Sequence, residues 1–258
     1  EAAFRLSREG CHAVTRASGR FREDGTPRAG YSRWRTAESE DGRGSLLAER
    51  PWLASYESDV PSTIHVPRLP LTRLLDRAWR RFPRRPVLIY QGRTLTYRNL
   101  SAQAARLANA LLALGCVKGT RVMLLLPNVP QTVVAFYGAL RLGAIVVMGN
   151  PLAEPEEIVR EAQRSGAEVL ITLTRFQDTA VTVKAQSNVR HIIYANVKEY
   201  LPWWKAGLFT ISQERKAGHR LSQPLPSGDF IWRKLLRQQA TTPPEVNVKA
   251  EDTAVIQF

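Results

Sequence analysis

The sequence is short of the residues on which much protein chemistry depends. Its 258 residues hold 2 cysteines and 4 histidines, all dispersed. Cys11 and Cys116 lie far apart, and the Cys11–His12 neighbours fall well short of a zinc ligand set. A disulfide framework is thereby excluded, a reducing compartment is the default, and His12, His65, His191 and His219 read as structural or surface residues. Long apolar runs are missing too. The most apolar stretch, Val133 to Met148, is broken by Gly138, Arg141 and Gly143 and stops short of the ~20 residues a membrane helix needs. No basic start followed by an apolar run marks a secretory leader. Acidic residues are outnumbered 23 to 37 by basic ones, for a net charge of +14. That balance favours anionic partners. The arginines are scattered, however, without the interleaved aromatics that track a nucleic-acid strand, so no nucleic-acid partner is expected.

Catalytic signatures are also lacking. The chain has no GxxxxGK[ST] phosphate loop, no GxGxxG, no GxSxG elbow and no metal-spaced His/Glu set. Gly115, Lys118 and Gly119 look suggestive, but they join a helix to a strand. A phosphate loop must join a strand to a helix, so that the helix amino terminus faces the anion. The segment reads as a helix stop and turn. No catalytic, cofactor-binding or metal-ligating residue is assigned.

What is present is an alternation. With 44% hydrophobic and 23% charged residues the composition is that of a globular protein. Residues 1–50 are rich in Arg, Gly, Ser and Glu, contain no lysine and show no periodicity; the first methionine is Met123. We expect 1–50 to be a disordered or spurious extension translated from upstream of the true start, and 51–258 to be the folded part. Trp52 to Pro70, with its prolines, predicts an extended surface segment. Leu71 to Phe82 has helical spacing, and Val87–Tyr90 with Leu95–Thr96 around Gln91-Gly92-Arg93 predicts a hairpin. Leu100, Ala104, Leu107, Leu111 and Leu114 form one helical stripe before Gly115. Val122–Leu126, Ile145–Met148, Glu168–Thr172 and His191–Tyr194 read as buried strands. Between them lie helices carrying Val133 to Leu140, following Glu154, and spanning Arg175 to Lys184. Pro127 to Pro130 reads as a packing turn. Phe230–Leu236 predicts a short helix, and Thr253–Gln257 one more strand. Short connections and strict alternation predict an α/β fold, a parallel sheet flanked by helices.

Particular segments carry a resemblance. Arg121 to Pro151, RVMLLLPNVPQTVVAFYGALRLGAIVVMGNP, resembles the early core of adenylate-forming (AMP-binding) enzymes. Those proteins carry a strand ending in LPN, a Pro-led helix running into a Gly-containing turn, and a strand ending in NP. LTYRNLSAQAARLANALLALGCVKGTRV resembles the segment just upstream in the family. EDTAVIQF, Glu251 to Phe258, is similar to the strand preceding the family's lysine-containing ATP loop. Pro51-Trp-Leu, Tyr56, Val60-Pro61 and the aromatic insertion after Tyr200 are similar to long-chain fatty-acid–CoA ligases in particular. Asn99 and Thr120 stand where relatives often carry acidic residues.

The resemblance implies an incomplete amino-terminal domain of the adenylate-forming fold, belonging to an ATP-dependent long-chain fatty-acid–CoA ligase. A fatty or other carboxylic acid is converted to an acyl-adenylate, and CoA then displaces AMP; the intact enzyme uses ATP, Mg²⁺ and CoA. The ATP loop is expected beyond Phe258, so this fragment is expected to hold none of these and to be inactive alone. The alternative from another class is a non-catalytic membrane-surface or binding module left by truncation. Trp203, Trp204, Lys205, Leu208 and Phe209 are the candidate membrane contact, since aromatic rings and basic charges both gain at an interface. A cytoplasmic location, peripheral at the inner face of the membrane, is the matching expectation.

Overall fold

The computed structural model describes residues 50–63, 67–212, 214–221 and 225–258. The chain divides into two compact units, Glu1–Val66 and Pro67–Phe258. The expected extension lies outside the described residues apart from Arg50. In the first unit Pro51–Ser55 forms a 3₁₀ turn rather than the extended segment its prolines predict. Pro51 stands at the first helical position, where its fixed φ suits the turn and no N–H is needed. The Leu53 and Tyr56 N–H groups then close on the carbonyls of Arg50 and Leu53.

The second unit begins with α1 (Thr72–Arg81) and a hairpin of β1 (Pro86–Tyr90) and β2 (Arg93–Thr96). Gln91 and Gly92 both take positive φ, 53° and 91°. That is the two-residue turn whose twist matches paired strands. Helix α2 (Tyr97–Ala113) starts at Thr96, whose hydroxyl accepts from the Asn99 N–H while the Asn99 side chain accepts from the Thr96 N–H. Asn99 therefore completes a capping box, the task that Glu or Gln usually performs. The predicted stripe is buried at Leu100, Ala104, Leu107 and Leu111, and the chain turns at Gly115, φ 82°. At that turn the Thr120 hydroxyl accepts from the Val117 N–H at 3.0 Å.

Strands and helices then alternate: β3 (Arg121–Leu125), α3 (Pro130–Arg141), β4 (Ile145–Met148), α4 (Pro155–Ser165), β5 (Val169–Leu173), α5 (Gln177–Gln186) and β6 (His191–Ala195). Next come α6 (Trp203–Ser212), β7 (Asp229–Ile231), α7 (Trp232–Arg237) and β8 (Val255–Gln257). All neighbouring strands run parallel, in the order β7-β6-β5-β3-β4-β8. One element is unassigned by the sequence and another differs from its expectation. The aromatic insertion is helical, and the segment predicted as one helix over Phe230–Leu236 divides into β7 and α7. Three residues carry no period of their own; β7 exists because Ile192–Tyr194 offer it a ladder and Lys184 ion-pairs with Asp229.

The sheet has a core on each face. One joins it to α2, α3 and α7 through Leu107, Leu124, Ile171, Trp232 and Leu236; the other joins it to α4 and α5 through Met123, Leu170, Ile158 and Val183. Helices α2 and α3 approach closely at Gly138, where a Cβ would lie 2.8 Å from Leu107. Arg141, which interrupts the apolar run in the sequence, is pulled inward. It donates to the Ser101 carbonyl at 2.6 Å, the Ser101 hydroxyl at 2.9 Å and Asp76 Oδ1 at 2.7 Å. Helix α1 is anchored through this contact and through Leu75, and it leaves Leu71, Leu74, Trp79 and Phe82 of its apolar stripe exposed. From α7 the chain returns to β8 along residues 238–254. Asn109 Nδ2 holds that stretch at the carbonyls of Ala240 and Thr242, and Lys118 holds it at the Asn247 carbonyl and the Asp252 carboxylate.

Candidate functional site

The loop after β3 leads to α3 on one face of the sheet, whereas the loop after β5 leads to α5 on the other. Adjacent parallel strands whose connections part in this way leave a crevice at their carboxyl ends, the place where such sheets receive ligands. Beside it, past the ends of β5 and β6, lies a cavity of about 830 Å³ lined by Thr174, Tyr194, Asn196, Glu199, Glu214 and His219, among others.

A polar network connects its lining to the first turn of α3. Gln131, in the first turn of α3, is fully buried. Its amide donates to the Asn196 carbonyl at 2.9 Å and toward Glu199 Oε2 at 3.4 Å. Asn196 follows β6 directly and caps the short 3₁₀ turn Val197–Tyr200 by accepting from the Lys198 N–H. Its amide donates to the His219 carbonyl and to Glu214, and Glu214 also ion-pairs with Lys198. Thr174 Oγ1 and His219 Nδ1 are 3.2 Å apart, and the Phe209 ring meets the imidazole edge-on at 5.3 Å. Burial, and then the Arg175 charge, hold the imidazole below its usual range against the pull of Glu214. Burial pushes the Glu199 carboxyl up to about 7, although the amide of Gln131 and backbone N–H groups of Asn196 and Arg233 favour its charged form. The crevice thus pairs a largely neutral imidazole with a carboxyl able to hold a proton near neutral pH. Glu214 and Lys198 bond to each other and to Asn196, leaving Thr174 and His219 to tie residues 214–221 to the end of β5. The Pro127–Pro130 turn is closed internally by Thr132 Oγ1, which donates to the Pro127 carbonyl at 2.6 Å.

A second opening of about 870 Å³ lies on the hairpin side of the Val197–Tyr200 turn, lined by Arg93, Arg106, Tyr200, Trp232, Arg233 and Arg237 among others. Glu199 borders both spaces. None of these residues stands out in the sequence: Gln131, Asn196, Glu199 and Arg106 are separated by up to 93 positions and meet only through the topology. The one local signal is Asn196 directly after a strand, a capping residue by type.

The five residues proposed for membrane contact do not share one face. Trp203, Trp204 and Leu208 point outward on α6, 87%, 53% and 60% exposed, together with Ile211 at 87%. Lys205 instead turns to the hairpin, donating to the Gln91 carbonyl at 2.9 Å with its charge over the Trp204 ring, and Phe209 turns toward His219. The 100° step of a helix explains the division: positions 203, 204, 207, 208 and 211 form one stripe, and 205 and 209 lie off it. Ile211, omitted from the sequence reading, is recovered by the same spacing. Among the described residues no helix is long and apolar enough to cross a membrane, and no three His, Cys, Asp or Glu side chains come together as a metal cradle.

Comparison with known proteins adds to this geometry. Residues 75–258 match the family model described as AMP-binding enzyme. The chain is 32% identical over 216 residues to a long-chain-fatty-acid–CoA ligase of Bacillus subtilis, covering 83% of this chain and 38% of that protein. It is 35% identical over 155 residues to the same-named protein of Salmonella typhimurium, covering 59% and 28%. Among solved structures, the anthranilate CoA ligase AuaEII in complex with anthranoyl-AMP superposes with a TM-score of 0.59 at 23% identity, over 77% of this chain and 32% of that one. A Mycobacterium tuberculosis fatty acyl CoA synthetase gives 0.53 at 24% identity, over 72% and 32%. The structural likenesses extend to the fold, and the chain spans about 38% of the length of the Bacillus relative.

Proposed function

Because this chain belongs to the AMP-binding enzyme family, we propose that it serves within an ATP-dependent long-chain fatty-acid–CoA ligase, which activates a carboxylic acid as its adenylate and passes the acyl group to CoA. The observation that carries the reading is the similarity to the Bacillus subtilis ligase across most of this chain. ATP, Mg²⁺ and CoA are the cofactors of that reaction, with Mg²⁺ and fixed donors offsetting charge on the phosphates. No contact with them is proposed for a residue of this chain, whose sequence holds no phosphate loop. Its own contribution is the scaffold: a parallel sheet with a crevice at its carboxyl edge.

Assayed with a long-chain fatty acid, ATP, Mg²⁺ and CoA, the isolated 258 residues are expected to release no AMP. Expressed with the coding sequence around them, they are expected to yield acyl-CoA and AMP. Acyl-CoA formation by the isolated chain, or none by the longer product, overturns the reading.

The outward stripe of α6 supports a second role, peripheral contact with a lipid surface, in the ligase or in a non-catalytic module. Trp203, Trp204, Leu208 and Ile211 present apolar area, and the basic Arg215 and Lys216 follow the helix in the sequence, a combination suited to an anionic interface. Co-sedimentation with vesicles containing phosphatidylglycerol is expected, and Trp203→Ala/Trp204→Ala is expected to abolish it. Unchanged co-sedimentation of the double variant removes α6 from the contact.

A further inference from the structure

We propose that the cleft between the hairpin, α2 and α7 is a binding site for a phosphate-bearing anion. Guanidinium groups of Arg93, Arg106, Arg233 and Arg237 line its volume of about 870 Å³, and Tyr200 and Trp232 lie among them. The single carboxyl at its border, Glu199, is engaged by Gln131, by backbone N–H groups and by the charge of Arg233, which leaves Arg93, Arg106 and Arg237 to the cleft. Arg106, Arg233 and Arg237 make no ion pair among the described residues. Arg106 Nε is buried and lacks a hydrogen-bond partner, an unfavourable state for an N–H removed from water. Arg233 and Arg237 stand four residues apart on α7, so they share a face and repel each other.

Arg93 is fixed in place, its Nη1 donating to the carbonyls of Glu199 and Leu201 at 2.9 and 3.3 Å, which leaves its remaining N–H groups free to turn to a ligand. Planar guanidinium forks meet phosphate oxygens two at a time. One phosphate or pyrophosphate group in the cleft would accept from the outer N–H groups of the arginines that line it and relieve the Arg233–Arg237 repulsion together. The phosphoryl group can come from a soluble compound or from a lipid headgroup, for Trp203 of the α6 stripe also lines the cleft. The inference is independent of the ligase reading.

Calorimetric titration of pyrophosphate into the full chain at low salt tests it. Saturable binding is expected, weakened at least about tenfold by Arg106→Gln/Arg237→Gln. The charge-matched control Arg77→Gln/Arg160→Gln, on α1 and α4, is expected to stay within about twofold. Arg237→Gln alone, an exposed change on α7 that leaves the half-buried Arg106 in place, is expected to weaken binding by about threefold or more. Competition by phosphatidylglycerol vesicles, absent with phosphatidylcholine, assigns the site to a headgroup; a titration indifferent to either vesicle assigns it to a soluble phosphate compound. Absence of saturable binding overturns the proposal, as does an equal loss in the two double variants, which would reduce the effect to the net charge of +14.

Discussion

Asp76→Ala is expected to cost the fold about 3 kcal/mol, although Asp76 sits near the surface. The cause lies in its partner. The Arg141 side chain is only 6% exposed, that of Asp76 30%, so removing the carboxylate strands a guanidinium that cannot reach water. The bonds to Ser101 remain, but they are dipoles, not a countercharge. The converse change should be milder: Arg141→Met keeps the apolar volume, removes the buried charge and leaves Asp76 free to hydrate. Urea unfolding of the wild type, Asp76→Ala and Arg141→Met/Asp76→Ser checks this. The double variant should recover at least about half of the loss, because an apolar replacement of a buried pair is often neutral. An Asp76→Ala protein within about 0.5 kcal/mol of the wild type would show that α1 is not held by this charge pair.

Glu199→Gln is expected to stabilise the chain at alkaline pH, by about 2–3 kcal/mol near pH 8, and to change little near pH 4. Its carboxyl is raised from the 4.5 of an open chain to about 7 in the fold. Between those values the folded form binds the proton more tightly than the unfolded form, so stability falls as pH rises through the window. Below about 4.5 both states are protonated and the difference vanishes; above about 7 the fold carries the full cost of an enclosed carboxylate. The amide variant has no charge to enclose at any pH. Paired denaturation curves from pH 4 to 8 measure the difference between the proteins, which cancels every other titrating group. A difference that stays flat with pH would mean that the carboxyl titrates in the ordinary range.

Why some of this could be read in the sequence and some could not follows from the range of the interactions. Leu100, Ala104, Leu107 and Leu111 announce their helix because its period lies within one segment. Gln91-Gly92 announces a hairpin because turn chemistry is local. The parallel sheet follows from the alternation and the shortness of the connections. The missed strand, Asp229–Ile231, is defined by its neighbour β6, and Arg141 looked like an interruption of an apolar run because its partners, Ser101 and Asp76, lie 40 and 65 residues away. The crevice network has the same character. Gln131, Asn196, Glu199 and His219 are unremarkable polar residues until the sheet order brings their loops together. On α6, aromatic content drew attention to five neighbours, while the helical step decided which of them meet solvent.

The return from α7 to β8 has a consequence for how the last strand finds its place. The strand that runs into α7, β7, and the strand β8 are the two edges of the six-stranded sheet, about 24 Å apart at a strand spacing of ~4.8 Å. The stretch 238–254 between them could extend to roughly 60 Å. A tether with that much slack would hold the strand at a modest effective concentration over its slot beside β4. Asn109 and Lys118 divide the slack into short pieces, each beginning from a point already fixed on the helical layer. Docking of Val255–Gln257 thus becomes a search over a few residues, with its registration inherited from two side chains more than a hundred positions earlier in the chain.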